Sequence, residues 1–131
     1  MMSLDLATRL IDEAVAEAGA RSLGLSFAVT DGAGIVVAAA RTDAAPPATI
    51  EVAMAKARCA ATFRRPTQVF EQRSISGEPG VVTLPGVVAL AGGVPVVVDG
   101  VVIGAIGVSG SAPAIDHEVG AAVIGRIDRL A

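Results

Sequence analysis

Residues 92–110 read GGVPVVVDGVVIGAIGVSG, and they set the architecture expected of the whole chain. Valine alternates along the first arm, Asp99-Gly100 supplies a two-residue turn, and residues 101–108 form the returning arm, so the stretch predicts a β-hairpin. Valine and isoleucine favour strands because their branched side chains fit a pleated, buried surface. The glycines at 104, 107 and 110 indicate that backbone or a ligand approaches the returning arm closely.

Upstream of this hairpin, the sequence predicts a helix, a second hairpin and another helix. Apolar residues recur at helical spacing after Ser3, which is a suitable N-cap. Residues 25–29 and 35–40 follow the strand pattern on either side of a turn with the sequence DGAG. After two prolines, an alanine-rich helix is expected to begin at Ala48 or Thr49, and its alanines permit close approach of a neighbouring element.

The region between the alanine-rich helix and the 92–110 hairpin is predicted to contain a short helix capped by Thr67, followed by one or two strands in residues 81–90. A last helix is expected after Pro113. The order α-β-β-α-α-β-β-β-α indicates the α+β class, with a five-stranded antiparallel sheet flanked by helices. The length suits one domain over residues 1–131.

Composition argues against nucleic-acid binding. Only 2% of the residues are aromatic, three Phe with neither Trp nor Tyr, so few side chains can stack on bases. The formal net charge of -3 also disfavours a surface that follows phosphates. The first residues lack the basic start and apolar core of a signal peptide, and the single Cys59 has no disulfide partner within the chain. The expected compartment is the cytoplasm.

Residues 79–98 carry no charge, but their prolines and glycines would break a membrane-spanning helix. We therefore interpret this stretch as buried strands and expect no membrane association. Charged residues make up 18% of the chain and apolar residues 53%. Because so few charges are left to cover a surface, we expect part of the apolar exterior to be buried in a homo-oligomer.

An ordered series of short motifs spans nearly the whole chain. The motifs are RTDAA at 41–45, AMAKA at 53–57, PT at 66–67, GGVP at 92–95, GAIGVSG at 104–110, and Asp116. As a series they resemble the GlcG/HbpS family, which also includes the C-terminal domain of PduO-type corrinoid adenosyltransferases. The resemblance implies a profilin-like fold, assembly into dimers, tetramers or octamers, and the binding or degradation of haem.

The chain departs from the family pattern on the last helix. The family commonly has Glu-Gln before the aspartate, where this sequence has Ala114-Ile115, and an acidic residue after it, where this sequence has His117. Both changes fall at the expected site. A ligand other than that of the haem binders therefore stays open.

Arg41, Asp43 and Lys56 are the candidate charged contacts for a ligand. Arg41 and Asp43 lie two apart at a strand end, so they could project to one side and clamp an oxygen-rich ligand, or form a surface ion pair. Lys56 has apolar neighbours one helical turn away and is predicted to bind a ligand carboxylate or a haem propionate. Its alternative role is to reach past the alanines to solvent, or to pair with Asp43 or Glu51.

His117 is the only histidine in the chain. It is the candidate ligand of haem iron, or a general acid or base near neutral pH, and the alternative is a plainly exposed side chain. One His and one Cys do not supply a recognisable set of ligands for another metal.

The glycine-rich segments are candidate walls of a ligand pocket. Main-chain N–H groups near the positive end of the last helix could hold an anion, or the glycines could serve only close packing and tight turns. Thr67 belongs to the same group of candidates, with helix capping as its alternative role. The candidate contacts of this kind are Thr67, Gly92, Gly93, Pro95, Gly107, Ser109 and Gly110.

Three functional hypotheses follow. The first is a small-molecule-binding protein in which Arg41 and Lys56 meet the carboxylates of haem or a related ligand and His117 binds the iron. The second is a cofactor-free isomerase, lyase or hydrolase that uses Asp43, Asp116 or His117 for proton transfer. The third is an oligomeric accessory subunit without chemistry, which predicts a filled interior around Lys56.

Overall fold

The computed structural model describes residues 1–130. Helices cover both faces of an antiparallel sheet with the strand order β2-β1-β4-β3. The elements are α1 Leu4–Ala20, β1 Ser26–Asp31, β2 Val36–Arg41, α2 Thr49–Phe63, α3 Gln68–Ile75, a 3-10 helix Pro79–Thr83, β3 Gly93–Val98, β4 Val101–Ser109, α4 Pro113–Ile124 and α5 Ile127–Leu130. The α+β class and the antiparallel sheet flanked by helices are therefore confirmed.

The 92–110 hairpin forms as predicted. Val98 pairs with Val101, and the turn residues Asp99 and Gly100 have φ angles of +50° and +77°, as a two-residue hairpin turn requires. Gly104 and Gly107 both lie very close to backbone atoms of other residues. For example, a Cβ at Gly107 would lie 1.9 Å from the Ala53 carbonyl oxygen. Gly107 thus lets β4 lie close to α2, whereas Gly104 faces the Thr30 carbonyl of the neighbouring strand β1.

The two faces of the sheet carry different helices. On one face, the large side chains of α1, α4 and the strands form the main core, which includes Leu10, Phe27, Ile106 and Val119. On the other face, Ala28 packs against the alanines of α2, and this small-residue contact lets α2 lie close to β1 and β4. The start of α1 is fixed by Ser3, whose hydroxyl accepts a hydrogen bond from the Leu6 N–H at 3.0 Å, as predicted.

The fifth strand predicted in residues 81–90 is wrong. Residues Pro79–Thr83 form a 3-10 helix, and the sheet of the described chain has four strands. Pro85 has no N–H to give to a ladder, and Gly86 has a φ of +84°, so the chain turns where a strand would need extended backbone. The apolar side chains that suggested a strand pack in a small cluster with Phe70 instead, namely Val81, Val87, Val88 and Ala89.

None of the helices within residues 1–130 combines the length and the apolar character needed to cross a membrane.

Candidate functional site

Lys56 and Asp116 form a buried ion pair at one end of the sheet. The Lys56 side chain is 2% exposed, and its Nζ donates to the Val108 carbonyl oxygen at 3.0 Å and lies 3.2 Å from Asp116 Oδ2. Lys56 belongs to α2, on the small-residue face of the sheet, whereas Asp116 is in the first turn of α4 on the opposite face. The lysine therefore joins the two helix layers past the end of β4.

Asp116 has no free carboxylate oxygen in this arrangement. It is 1% exposed, and its Oδ1 accepts a hydrogen bond from the Ser111 N–H at 3.0 Å while Oδ2 faces Lys56. Burial raises the pKa of the carboxyl above its usual value, and the Lys56 ammonium and the N–H groups of Ser111 and Gly110 oppose that rise. The pair holds the first turn of α4 in place.

The Gly92-Gly93 segment closes over the lysine. A Cβ at Gly92 would lie 2.8 Å from Lys56 Nζ, and one at Gly93 would lie 2.3 Å from the Lys56 carbonyl oxygen. Thr67 fixes this segment, since its hydroxyl donates to the Leu90 carbonyl at 2.6 Å and accepts from the Gly93 N–H at 2.9 Å. Thr67 stands at the N-cap position of α3, as predicted, but its side chain makes no cap hydrogen bond to the helix.

Arg41 and Ser109 lie at the same end of the sheet. Both pair with Ser26 of the strand between them, so their Cα atoms are separated by two strand spacings, about 10 Å. Arg41 and Asp43 are exposed, and within residues 1–130 neither side chain makes a hydrogen bond or an ion pair. The structure therefore does not bring this pair into contact with the buried Lys56 site.

The remaining glycine-rich candidates are engaged in packing. A Cβ at Gly110 would lie 2.5 Å from the Gly24 carbonyl oxygen, and Gly107 presses on α2 as described above. Pro95 pairs with Ala105 in the sheet and is half-buried, and Ser109 is buried opposite Ser26. These positions shape the sheet end rather than line a cavity.

His117 lies beside a cavity of about 290 Å³ between α3 and α4. The imidazole Nδ1 is buried and has no hydrogen-bond partner within the described chain. The wall of the cavity consists of polar and small side chains, namely Gln68, Glu71, Gln72, Ala91, Ala114, His117 and Glu118. Glu71 is held in the wall by the Ala91 N–H, which donates to its Oε1 at 3.3 Å.

Sequence reasoning missed the α3 side of this cavity. Gln68, Glu71 and Gln72 recur at helical spacing, away from the buried Phe70, and that polar stripe was the available signal. A stripe of this kind usually faces only solvent. Nothing in the sequence showed that the first turn of α4 lies across from it.

A second cavity, of about 250 Å³, lies along the adjacent side of α3. It is lined by Val69, Gln72, Arg73, Ser76 and Glu78, so that Gln72 borders both cavities. Arg73 Nε lies 2.6 Å from Glu78 Oε2, and both side chains are exposed.

No group of three or more His, Cys, Asp or Glu side chains in residues 1–130 is placed to hold a metal ion. Cys59 is buried, and burial raises the pKa of its thiol, so the neutral thiol is favoured over the thiolate that metals bind.

Comparison with known proteins gives a consistent result. A family model for haem-degrading HbpS-like proteins matches residues 2–125. Protein GlcG of Escherichia coli K12 is 39% identical over 109 residues, which are 83% of this chain and 81% of GlcG. A double mutant of HbpS from Streptomyces reticuli superposes with a TM-score of 0.86 at 30% identity, covering 95% of this chain and 85% of that structure.

A PduOC haem complex has the same fold, with a TM-score of 0.85 at 23% identity over 95% of this chain and 93% of that one. The family match over residues 2–125 and the identity to GlcG confirm the resemblance found in the motifs. This chain belongs to the HbpS-like family.

Proposed function

We propose that this protein binds a small molecule in the cavity beside His117, and that haem is the candidate ligand. The observation that carries the proposal is the imidazole of His117 in the wall of a cavity, in a chain of a family described as haem-degrading. Imidazole is a common axial ligand of haem iron. The binding pocket is thus formed by α3 and α4, with no contribution from Lys56.

Of the groups needed to hold haem, the residues of this cavity supply the ligand of the iron. His117 supplies the nitrogen donor, and the small Ala91 and Ala114 side chains leave room beside it. The charged residues of the wall, Glu71 and Glu118, are acidic, so the carboxylates of a ligand would lie outside this cavity. When bound, haem would supply redox and oxygen chemistry, while the chain orients the ligand and limits its contact with water.

Hemin titration tests the proposal directly. We expect the wild-type protein to shift the Soret band with a stoichiometric end point, and His117→Ala to lose that shift. Glu118→Gln is the matched control, because it alters the neighbouring wall residue without removing a donor nitrogen, and it should keep the shift. Free imidazole should restore the band in His117→Ala.

A Soret band of unchanged position and stoichiometry in His117→Ala would contradict ligation by His117. Absence of any stoichiometric shift in the wild type would contradict haem as the ligand.

The catalytic alternative has less support from the contacts. Both oxygens of Asp116 are engaged and buried, and Asp43 is exposed on the loop after β2. Proton transfer needs a group within hydrogen-bond reach of the substrate, about 2.6–3.2 Å, or one water away. His117, the third predicted acid–base residue, borders the cavity between α3 and α4.

The proposal includes self-association in the cytoplasm. Several large apolar side chains are exposed on the loop and helix that precede β3, and residues 79–98 carry no charge. This supports a homo-oligomer in which copies of the chain cover one another's apolar surface.

A further inference from the structure

The two cavities along α3 adjoin. Gln72 lines both of them, and the residues specific to each lie on neighbouring stripes of the helix, Gln68 with Glu71 on one and Val69 with Arg73 on the next. Both stripes lie away from the buried Phe70. We call the combined surface the α3 groove, with His117 at one end and Arg73 at the other.

The two ends of the α3 groove differ in charge. The His117 end carries Glu71 and Glu118 and has no cationic side chain in its wall, whereas the Arg73 end carries a guanidinium. Arg73 uses Nε to contact Glu78, which leaves the Nη atoms available for a second acceptor. Because both partners are exposed, their ion pair is weak and readily exchanged for another carboxylate.

We infer that Arg73 is the carboxylate subsite for the ligand that binds at His117. The inference rests on the proposed function, because it assigns the charged end of the same ligand. Guanidinium binds a carboxylate through paired N–H donors, which gives both direction and strength. Gln68 and Arg73 are five residues apart on α3, about 7.5 Å along its axis. The ligand is thus an extended molecule. One part of it, a metal ion or another group, is bound by the His117 imidazole, and a carboxylate at its edge is bound by Arg73.

The test compares hemin with hemin dimethyl ester, in which the carboxylates are blocked. We expect Arg73→Gln to weaken hemin binding about tenfold and to leave ester binding unchanged. Glu78→Gln should tighten hemin binding, since it removes the carboxylate that competes for Arg73. The matched control is Arg9→Gln, which removes an arginine from a comparable exposed i,i+4 ion pair on α1, far from either cavity, and should change neither affinity.

The outcomes separate the two proposals. Stoichiometric hemin binding with unchanged affinity in Arg73→Gln overturns the carboxylate subsite and leaves the His117 site intact. An equal loss for hemin and its ester in Arg73→Gln also overturns the subsite, because the effect would not involve carboxylates. Failure of the wild type to bind hemin at all overturns the proposed function and the subsite with it.

Discussion

The ammonium of Lys56 is stabilised by only a few groups. With 2% of its side chain exposed, it depends on the Val108 carbonyl and Asp116 in place of water. A buried pair is costly to assemble, and removing one partner leaves the other charge uncompensated. The stability of the protein should therefore fall strongly when one partner is substituted, and much less when both are substituted together.

We expect Lys56→Met to lower the free energy of unfolding by about 3–5 kcal/mol, because Asp116 would remain buried without its cation. The double variant Lys56→Met with Asp116→Asn should be more stable than Lys56→Met alone. Urea denaturation of the wild type, both single variants and the double variant gives the coupling between the two residues. A loss below about 1 kcal/mol for Lys56→Met would count against the ion pair.

The sequence predicted part of this arrangement. The alanine and valine neighbours of Lys56 marked its setting as apolar, and Asp116 stood out through the family motif. Their contact was missed because they are separated by 60 residues and lie on helices that cover opposite faces of the sheet. Asp43 and Glu51, the partners predicted for Lys56, are both nearer to it along the chain than Asp116 is.

At the level of secondary-structure elements, the start of β3 is packed tightly against α2, as β4 is at Gly107. Gly93 lies so close to the Lys56 carbonyl oxygen that any side chain would collide with helix backbone, which cannot move aside as a flexible side chain would. Packing against α2 therefore accounts for the glycine at position 93.

Gly93→Ala should destabilise the protein by about 2–4 kcal/mol, through backbone displacement at the α2–β3 contact. Gly80→Ala is the matched control, because its Cβ would meet no atom within 4 Å and its φ is not positive, and we expect a change within about 0.5 kcal/mol. Thermal unfolding of both variants makes the comparison. Equal midpoints would show that β3 can shift to accommodate the methyl group.

A second contact between elements joins α1 to the turn after α4. Arg126 donates to Glu13 at 2.9 Å and to Glu17, and Glu17 also accepts from Arg21 at 2.7 Å. The hydrogen bonds from Arg21 and Arg126 lower the pKa of Glu17 below its usual value. A carboxyl whose pKa is lower in the folded chain adds stability above its unfolded pKa, and this stability is lost as the pH falls through the folded pKa.

We therefore expect the wild type to be more stable than Glu17→Gln at neutral pH, and the difference to shrink as the pH falls below about 4.5. Chemical denaturation of the two proteins at a series of pH values measures the difference. Asp12→Asn, on the same helix, is a control for the general effect of removing a negative charge. A constant difference across the series would mean that the Glu17 carboxylate does not contribute through its charge.

The elements that sequence reasoning placed best were those with two agreeing signals. Alternating valines together with Asp99-Gly100 identified the 92–110 hairpin, and Ser3 with helical spacing identified α1. Residues 81–90 had the apolar composition of a strand, but Pro85 and Gly86 break the backbone pattern that pairing needs. Composition alone could not tell a packed loop from a buried strand.

For the molecule as a whole, the segment between α3 and β3 is one of the regions with exposed apolar side chains. Large side chains are exposed there on α3, the 3-10 helix and the loop that follows, namely Ile75, Val82, Leu84 and Leu90. Exposed apolar side chains on one segment are typical of a surface that binds another chain.

We expect the protein to elute as a homo-oligomer in size-exclusion chromatography with light scattering, and Leu84→Glu to shift it toward the monomer. The charge would have to be buried without a partner in the assembled state. Leu4→Glu, at another exposed leucine on α1, is the control and should keep the oligomer. A monomeric wild type would show that the chain has no such interface. Dissociation by Leu4→Glu but not by Leu84→Glu would place the interface elsewhere.

The Lys56 side chain has a further consequence for how the molecule opens. It crosses the end of the sheet and holds α2 to α4, so neither helix can leave its face of the sheet without breaking the same contact. Local opening is therefore suppressed in favour of a single cooperative event that involves both layers. Amide hydrogens in the interiors of α2 and α4 should exchange with solvent at a common, slow rate, even though the two helices do not share a core.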